Sequence, residues 1–263
     1  MPTIVSHGRA GLSTTRNILI LGGTTEASAL ARLLTERGER ATLSYAGRVD
    51  SPRPQPVPVR IGGFGGAEGL ADHLRVQGVT HLVDATHPFA ATMSANAVTA
   101  ARMAGVAHVA LTRPAWRATA GDRWTHVPDL AAAIAALDGP ARRIMLALGR
   151  MHADAFAAQP QHFYLLRFVD QPATPPALLH YHLVIDRGPF DVVSDMHLMQ
   201  AHGIDLILSK NAGGTGARAK LIAARNLGLP VLMIDRPALL DRLELHDPRA
   251  VLHWIDHGAD RGV

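Results

Sequence analysis

The residues best suited to chemistry fall in two glycine-rich turns, Gly22-Gly23-Thr24-Thr25-Glu26-Ala27 and Ser209-Lys210-Asn211-Ala212-Gly213-Gly214-Thr215-Gly216. Each follows a short apolar run and leads into helical spacing, so each reads as the turn between a buried strand and a helix. Such a turn points unpaired backbone N–H groups at a site for phosphate. The dinucleotide fingerprint G-x-G-x-x-G/A is met at Gly22 and Ala27, but Thr24 stands in place of its middle glycine. A Cβ there crowds a diphosphate and moves it toward Gly23, with the hydroxyls of Thr24 and Thr25 expected to donate to it. Glu26 would repel a diphosphate, which assigns it to the helix dipole or to a ribose hydroxyl. A plain strand-to-helix turn without a ligand matches as much of the pattern. The second turn is not a Walker loop: counted from Gly213, Arg218 occupies the place of the required second glycine, which disfavours phosphoryl transfer.

Further candidates follow from strand ends. Ligands of open parallel sheets bind outside the carboxyl ends of strands. Thr86 and His87 lie just past the strand expected at 81–84, where a cofactor would sit; a hydrogen-bonding loop histidine is the bland alternative. The strand expected at 41–45 ends in Ser44, Tyr45, Gly47 and Arg48, with no acid before Asp50. An acid at that place selects NAD and a base selects NADP, so Arg48 points to a 2′-phosphate, against the alternative of a solvated loop arginine. Gly62-Gly63-Phe64-Gly65-Gly66 implies backbone passing close to a ligand or to the neighbouring helix, which makes Gly62 and Gly63 cofactor-side candidates. Only Lys210 and Lys220 among the 26 basic residues are lysine. A general bias toward arginine explains the ratio, but the two survivors also suit places that require a compact ammonium.

The elements that must hold these residues alternate in type. Strands are expected at 17–21, 41–45, 59–61, 81–84 and 106–111, with helices at 27–37, 67–77 and from Pro88 through Met103. The alternate prolines of 51–58 exclude a helix there. After 113–121, a natural boundary, strands are expected at 124–127, 143–148, 162–168, 181–185, 205–208 and 231–234, with helices at 129–137, 190–202 and 215–227. Repeated alternation of this kind gives two parallel sheets with helices on both faces. The expected division is a loose extension over 1–16, one domain over 17–115 and a second over 116–263.

Composition narrows the class. The chain has 263 residues, 48% apolar and 18% charged, with a net charge of +4. No apolar run approaches a membrane span, residues 1–16 lack the apolar centre of a secretory signal, and no membrane association is expected. A charge this mild, without a basic block, gives no support to nucleic-acid binding and suits an acidic small molecule. Cysteine is absent, which fits a reducing cytoplasm. Among 15 histidines, His180 and His182 share one strand face with no third ligand near in sequence, so no metal site is expected.

Taken in order, Leu21-Gly22-Gly23-Thr24-Thr25-Glu26, Gly47-Arg48, residues 59–66, Asp84-Ala85-Thr86-His87-Pro88-Phe89-Ala90, Arg113-Pro114-Ala115-Trp116, Arg187-Gly188-Pro189-Phe190, residues 205–214 and Leu227-Gly228-Leu229-Pro230-Val231 resemble the precorrin-6A reductase family of the corrin (cobalamin) pathway. The resemblance spans about residues 17–240. It implies two Rossmann-like doubly wound domains with a cleft between them, and an NADPH-dependent reduction of one carbon–carbon double bond of a tetrapyrrole, giving precorrin-6B. The hydride belongs to the cofactor; the protein orients the reactants and excludes water. Arginines suit a polycarboxylate macrocycle, so Arg113, Arg150 and Arg187, at expected strand ends, are substrate-side candidates, joined by Asn211 and Gly213. Lys210, after a buried strand, is expected to bind a substrate carboxylate or to stabilise charge as the conjugated system takes up hydride. Lys210 and His87 are the catalytic candidates. Two other readings stay open: a tetrapyrrole methyltransferase using S-adenosylmethionine on the same turn, and a dinucleotide-sensing module without turnover.

Overall fold

A computed structural model describes residues 16–46, 54–188 and 190–258. The chain divides into two compact units. Unit 1 comprises the described residues of Met1–Thr86, Thr92–Thr112 and Leu240–Val263; unit 2 comprises His87–Ala91 and the described residues of Arg113–Leu239. The single cut expected after residue 115 is therefore too simple. The last segment returns to unit 1, and a five-residue turn inside the first half is counted with unit 2.

Unit 1 holds one six-stranded sheet in the order β12-β5-β4-β1-β2-β3. Its strands are β1 (Asn17–Leu21), β2 (Arg40–Tyr45), β3 (Val59–Ile61), β4 (His81–Asp84), β5 (Ala107–Leu111) and β12 (Glu244–Leu245), and every pairing is parallel. The helices are α1 (Thr25–Glu36), α2 (Gly66–Val76), α3 (Ala91–Ala104) and α7 (Pro248–His257). β1 carries no polar–apolar alternation because it is buried on both faces. Ile18 and Ile20 pack with Leu30 and Leu34 of α1 and with Val251 and Ile255 of α7. Leu19 and Leu21 pack with Leu70 and Leu74 of α2 and with Ala97 and Ala101 of α3. Each fully buried leucine or isoleucine contributes about 1.5–3 kcal/mol.

Unit 2 repeats the plan, with strand order β6-β11-β10-β7-β8-β9. These are β6 (Arg123–Val127), β7 (Arg143–Ala147), β8 (Phe163–Phe168), β9 (Tyr181–Ile185), β10 (Leu206–Lys210) and β11 (Pro230–Ile234), again all parallel. Alternate residues once more face opposite layers. Leu146, Leu166 and Leu208 meet Ala133 of α4 (Leu130–Ala135) and Phe156. Met145, Leu165 and Ile207 meet Met199 of α5 (Val192–Ala201) and Leu221 of α6 (Ala219–Asn226). Helices on both faces make each sheet doubly wound.

Some boundaries differ from expectation. Pro88 does not open α3; residues 87–90 form a turn closed by Ala90 N–H donating to His87 O at 2.7 Å, and the helix starts at Ala91. Asp191 caps α5 by accepting from Ser194 N, so that helix begins at Val192 rather than at 190. The helix expected from Thr215 begins at Ala219, because residues 211–218 form an extended loop. Two short 3₁₀ turns, Arg150–His152 and Asp154–Ala158, fill a stretch without helical or alternating spacing.

Candidate active site

The strand order of unit 1 reverses between β1 and β4, where a ligand crevice is expected in a doubly wound sheet. The Gly22–Thr24 turn leaves β1 there, and Ala85-Thr86 leaves β4. Gly23 has φ +128, a conformation that disfavours a side chain, and an added Cβ would meet nothing within 4 Å. Thr24 is the N-cap of α1: its Oγ1 accepts from Ala27 N at 3.2 Å and donates to Ala85 O at 2.9 Å. Its hydroxyl hydrogen therefore ties the two crevice loops together and is not turned to a phosphate, contrary to expectation. The first-turn N–H groups of Thr25 and Glu26 remain outside the i→i−4 ladder. Thr25 Oγ1 donates to Glu26 Oε2 at 3.1 Å.

Thr86 is also turned inward. Its N–H and Oγ1 both donate to Asp84 Oδ1, at 3.1 and 2.6 Å, while Asp84 Oδ2 accepts from Ser94 Oγ at 2.6 Å and Arg242 Nη1 at 2.7 Å. The Asp84 and Arg242 side chains are 1% and 6% exposed. Beside β1, Ser44 is the penultimate residue of β2 and has its Oγ 3.3 Å from Arg60 Nη1. Arg60 also donates to Gly62 O and Gly63 O and lies 3.8 Å above the Phe64 ring. Gly62 and Gly63 thus hold a guanidinium at the end of β2. Arg60 escaped the sequence reading, although its β3 register opposite Ser44 is what brings the two together. Arg48 lies outside the described residues.

In unit 2 the order reverses between β7 and β10. Lys210 ends β10, and His152 sits in the 3₁₀ turn that follows β7. Their Nζ and Nε2 atoms are 2.7 Å apart. Lys210 Nζ also stands 5.0 Å from the centroid of the Phe89 ring. Phe89 N–H donates to His87 Nδ1 at 3.2 Å, which leaves the hydrogen of the neutral imidazole on Nε2. Burial, followed by the charges of Arg113, Lys210 and Arg236, pushes His87 down to about 4. At neutral pH His87 is a hydrogen-bond donor without a proton to release.

The loop after Lys210 is fixed by its own unit. Asn211 Oδ1 accepts from Trp116 N at 2.7 Å and Nδ2 donates to Trp116 O at 3.0 Å, so both ends of the amide clamp Trp116 and the side chain is not presented to a substrate. Gly213 has φ +71, and a Cβ on it would stand 2.2 Å from Pro114 O and 2.5 Å from Arg236 Nη2. That glycine admits the neighbouring backbone. Arg236 donates to Asn211 O at 2.9 Å and Ala212 O at 3.2 Å. Of the arginines singled out by sequence, Arg113 acts on His87, Arg150 is exposed beside His152, and Arg187 is exposed and paired with Asp170 at 2.9 Å. Lys220 is buried against Trp116 and donates to Ala217 O; burial, with Arg167 adding to it and Asp195 opposing, pushes it down to about 8. Among the described residues no group of three or more His, Asp or Glu is arranged to hold a metal.

Two doubly wound parallel sheets, one with a nucleotide-type turn and the other with a cationic cluster at its switch point, define a two-unit α/β enzyme of the dinucleotide-binding kind. The family model described as "Precorrin-6x reductase CbiJ/CobK" matches residues 17–256. The chain is 56% identical to precorrin-6A reductase of Rhodobacter capsulatus over 248 residues, covering 94% of this chain and 99% of that one. It is 28% identical to cobalt-precorrin-6A reductase of Priestia megaterium over 235 residues, covering 84% and 91%. A solved structure titled "CobK precorrin-6A reductase" superposes with a TM-score of 0.88 at 56% identity, covering 94% of this chain and 100% of that chain. The chain belongs to the CbiJ/CobK precorrin-6x reductase family and is an oxidoreductase of cobalamin biosynthesis.

Proposed function

We propose that this chain reduces one carbon–carbon double bond of precorrin-6A with NADPH, giving precorrin-6B. The observation that carries the cofactor half is the Gly22–Thr24 turn at the reversal of the first sheet, with a positive-φ glycine and open space beside it. Diphosphate oxygens would accept from the amides of Gly23 and of the first turn of α1. Ser44 and Arg60, paired near the end of β2, are proposed to receive the 2′-phosphate, and Arg48 is proposed to join them. Bound there, the nicotinamide supplies hydride. Lys210, Arg113 and Arg150 are proposed to meet the acidic macrocycle, because fixed cations in a partly buried cluster favour carboxylates and any negative charge that develops on the ring. His87, neutral with its Nε2–H outward from the Phe89 bond, offers one further donor. A cytoplasmic location is proposed from the absence of cysteine; no helix among the described residues is long and apolar enough to cross a membrane.

Fluorescence titration tests this reading. NADPH should bind more tightly than NADH. Arg60→Ala should weaken NADPH by roughly 10–100-fold, the loss of charge-assisted hydrogen bonds, and leave NADH nearly unchanged. Arg48→Ala should move the same ratio in the same direction. Equal affinity of the unmodified protein for the two cofactors would remove the 2′-phosphate assignment.

A further inference from the structure

We propose that Lys210 is the acid that gives the macrocycle its proton during the reduction, and that His152 is the positioning residue that holds the Lys210 ammonium in place. The inference rests on the reduction assigned above and adds the source of the second hydrogen.

Reduction of a carbon–carbon double bond needs a hydride at one carbon and a proton at the other end of the displaced electron pair. The hydride leaves the reduced nicotinamide, which is oxidised as the macrocycle is reduced. The electron pair that the hydride displaces forms a new C–H bond to hydrogen taken from Lys210 Nζ. The Nζ–H bond breaks, Lys210 is left as an amine, and solvent returns a proton to it.

The geometry selects Lys210 by comparison with its neighbours. Charged and titratable groups of the same unit near it include His152 from the turn after β7, His87 from the 87–91 turn, Arg113 from the segment entering unit 2, and Arg236 beyond β11. Arginine does not release its proton at physiological pH. His87 is neutral, with Nδ1 already accepting from Phe89 N–H. In the proposed arrangement the lysine donates to His152 Nε2, which requires His152 to be neutral while the lysine is charged. Of these five groups, Lys210 is therefore the one that carries a proton it can give up. The pair also lies at the switch point of the second sheet, at the carboxyl ends of the neighbouring strands β7 and β10. The end of β10 fixes the Lys210 Cα, the 3₁₀ turn Arg150–His152 carries the histidine, and the 2.7 Å contact between them orients the ammonium. The Phe89 ring centroid lies 5.0 Å from the same Nζ.

Three substitutions separate proton transfer from charge and from positioning. Lys210→Arg keeps a cation able to bind a carboxylate but retains its proton. It should lower kcat by about 100-fold or more, the usual scale of a lost general acid, while the KM for the macrocycle changes by less than about threefold. His152→Ala removes an acceptor that favours the ammonium, so the alkaline limb of the kcat–pH profile should move to lower pH; His152→Gln, which restores an acceptor, should move it back. NADPH affinity, measured separately, should be unchanged in all three and shows that they fold. A readout without turnover comes from ¹⁵N NMR of the protein free of cofactor and substrate: the His152 hydrogen should reside on Nδ1. Wild-type kcat in Lys210→Arg, an unmoved limb in His152→Ala, or a hydrogen on His152 Nε2 would overturn the proposal. An unmodified protein that binds the macrocycle but does not reduce it with NADPH would overturn the assigned reaction, and this inference with it.

Discussion

At His87 burial and three cations act in the same direction, and the consequence is measurable as stability. Its folded pKa, about 4, lies below the ordinary 6.5. An unfolded chain takes up a proton there as pH falls through 6.5, whereas the folded chain resists until about 4. The contribution is present above 6.5 and is lost as pH drops toward 4. Between pH 7.5 and 4.5 the loss is about 2–3 kcal/mol. His87→Asn keeps an acceptor for Phe89 N–H and does not titrate, so urea unfolding of that variant should show a shallower acid slope by that amount. The place of His87 was readable in the sequence from the loop after a buried strand. Its protonation state was not, because Lys210 and Arg236 reach it from far along the chain. Asn211 shows the same limit: its amide partner, Trp116, is 95 residues away. His152 lies in an alanine-rich stretch with no strand or helix spacing to mark it as the neighbour of Lys210.

At the scale of elements, the loop 211–218 is held by backbone proximity. Gly213→Ala would bring Cβ to within 2.2 Å of Pro114 O at a φ of +71. Backbone cannot swing aside as a flexible side chain can, so the variant should lose about 3 kcal/mol or more in chemical unfolding and turnover should fall with it. Gly216→Ala, in the same loop with nothing within 4 Å, should stay within about 0.5 kcal/mol. The strand–turn–helix pattern of this segment was legible because an unbroken apolar run met a glycine cluster. The late start of α6 was not legible, since apolar and small residues continue through the loop. The N-terminal turn was likewise found by pattern, while the inward rotation of the Thr24 hydroxyl depended on Ala85, in a loop 61 residues later.

At the scale of the whole molecule, two sheets of common plan were expected and two are present, because strand–helix alternation is a local signal. The ownership of the chain's last part was not expected, because long-range pairing leaves little local mark. β12 is two residues long and joins β5 through Ala110 N–H to Leu243 O and Thr112 N–H to Leu245 O, both 2.9 Å. Beside it Arg242 reaches Asp84, 158 residues earlier. Arg242→Ala leaves the Asp84 carboxylate buried without its cation and should lower unfolding stability by about 3–5 kcal/mol. Thermal unfolding checks this, and a loss below about 1 kcal/mol would mean that water replaces the guanidinium.

Because residues 240–258 belong with the first sheet, unit 1 is interrupted in sequence by most of unit 2. A ribosome delivers Arg113–Leu239 before it delivers Arg242, β12 and α7. During synthesis Asp84 is therefore made long before its counter-charge, and the surface of α1 that receives Val251 and Ile255 waits uncovered. The lobe begun second is the one able to close early, and the lobe begun first is sealed last.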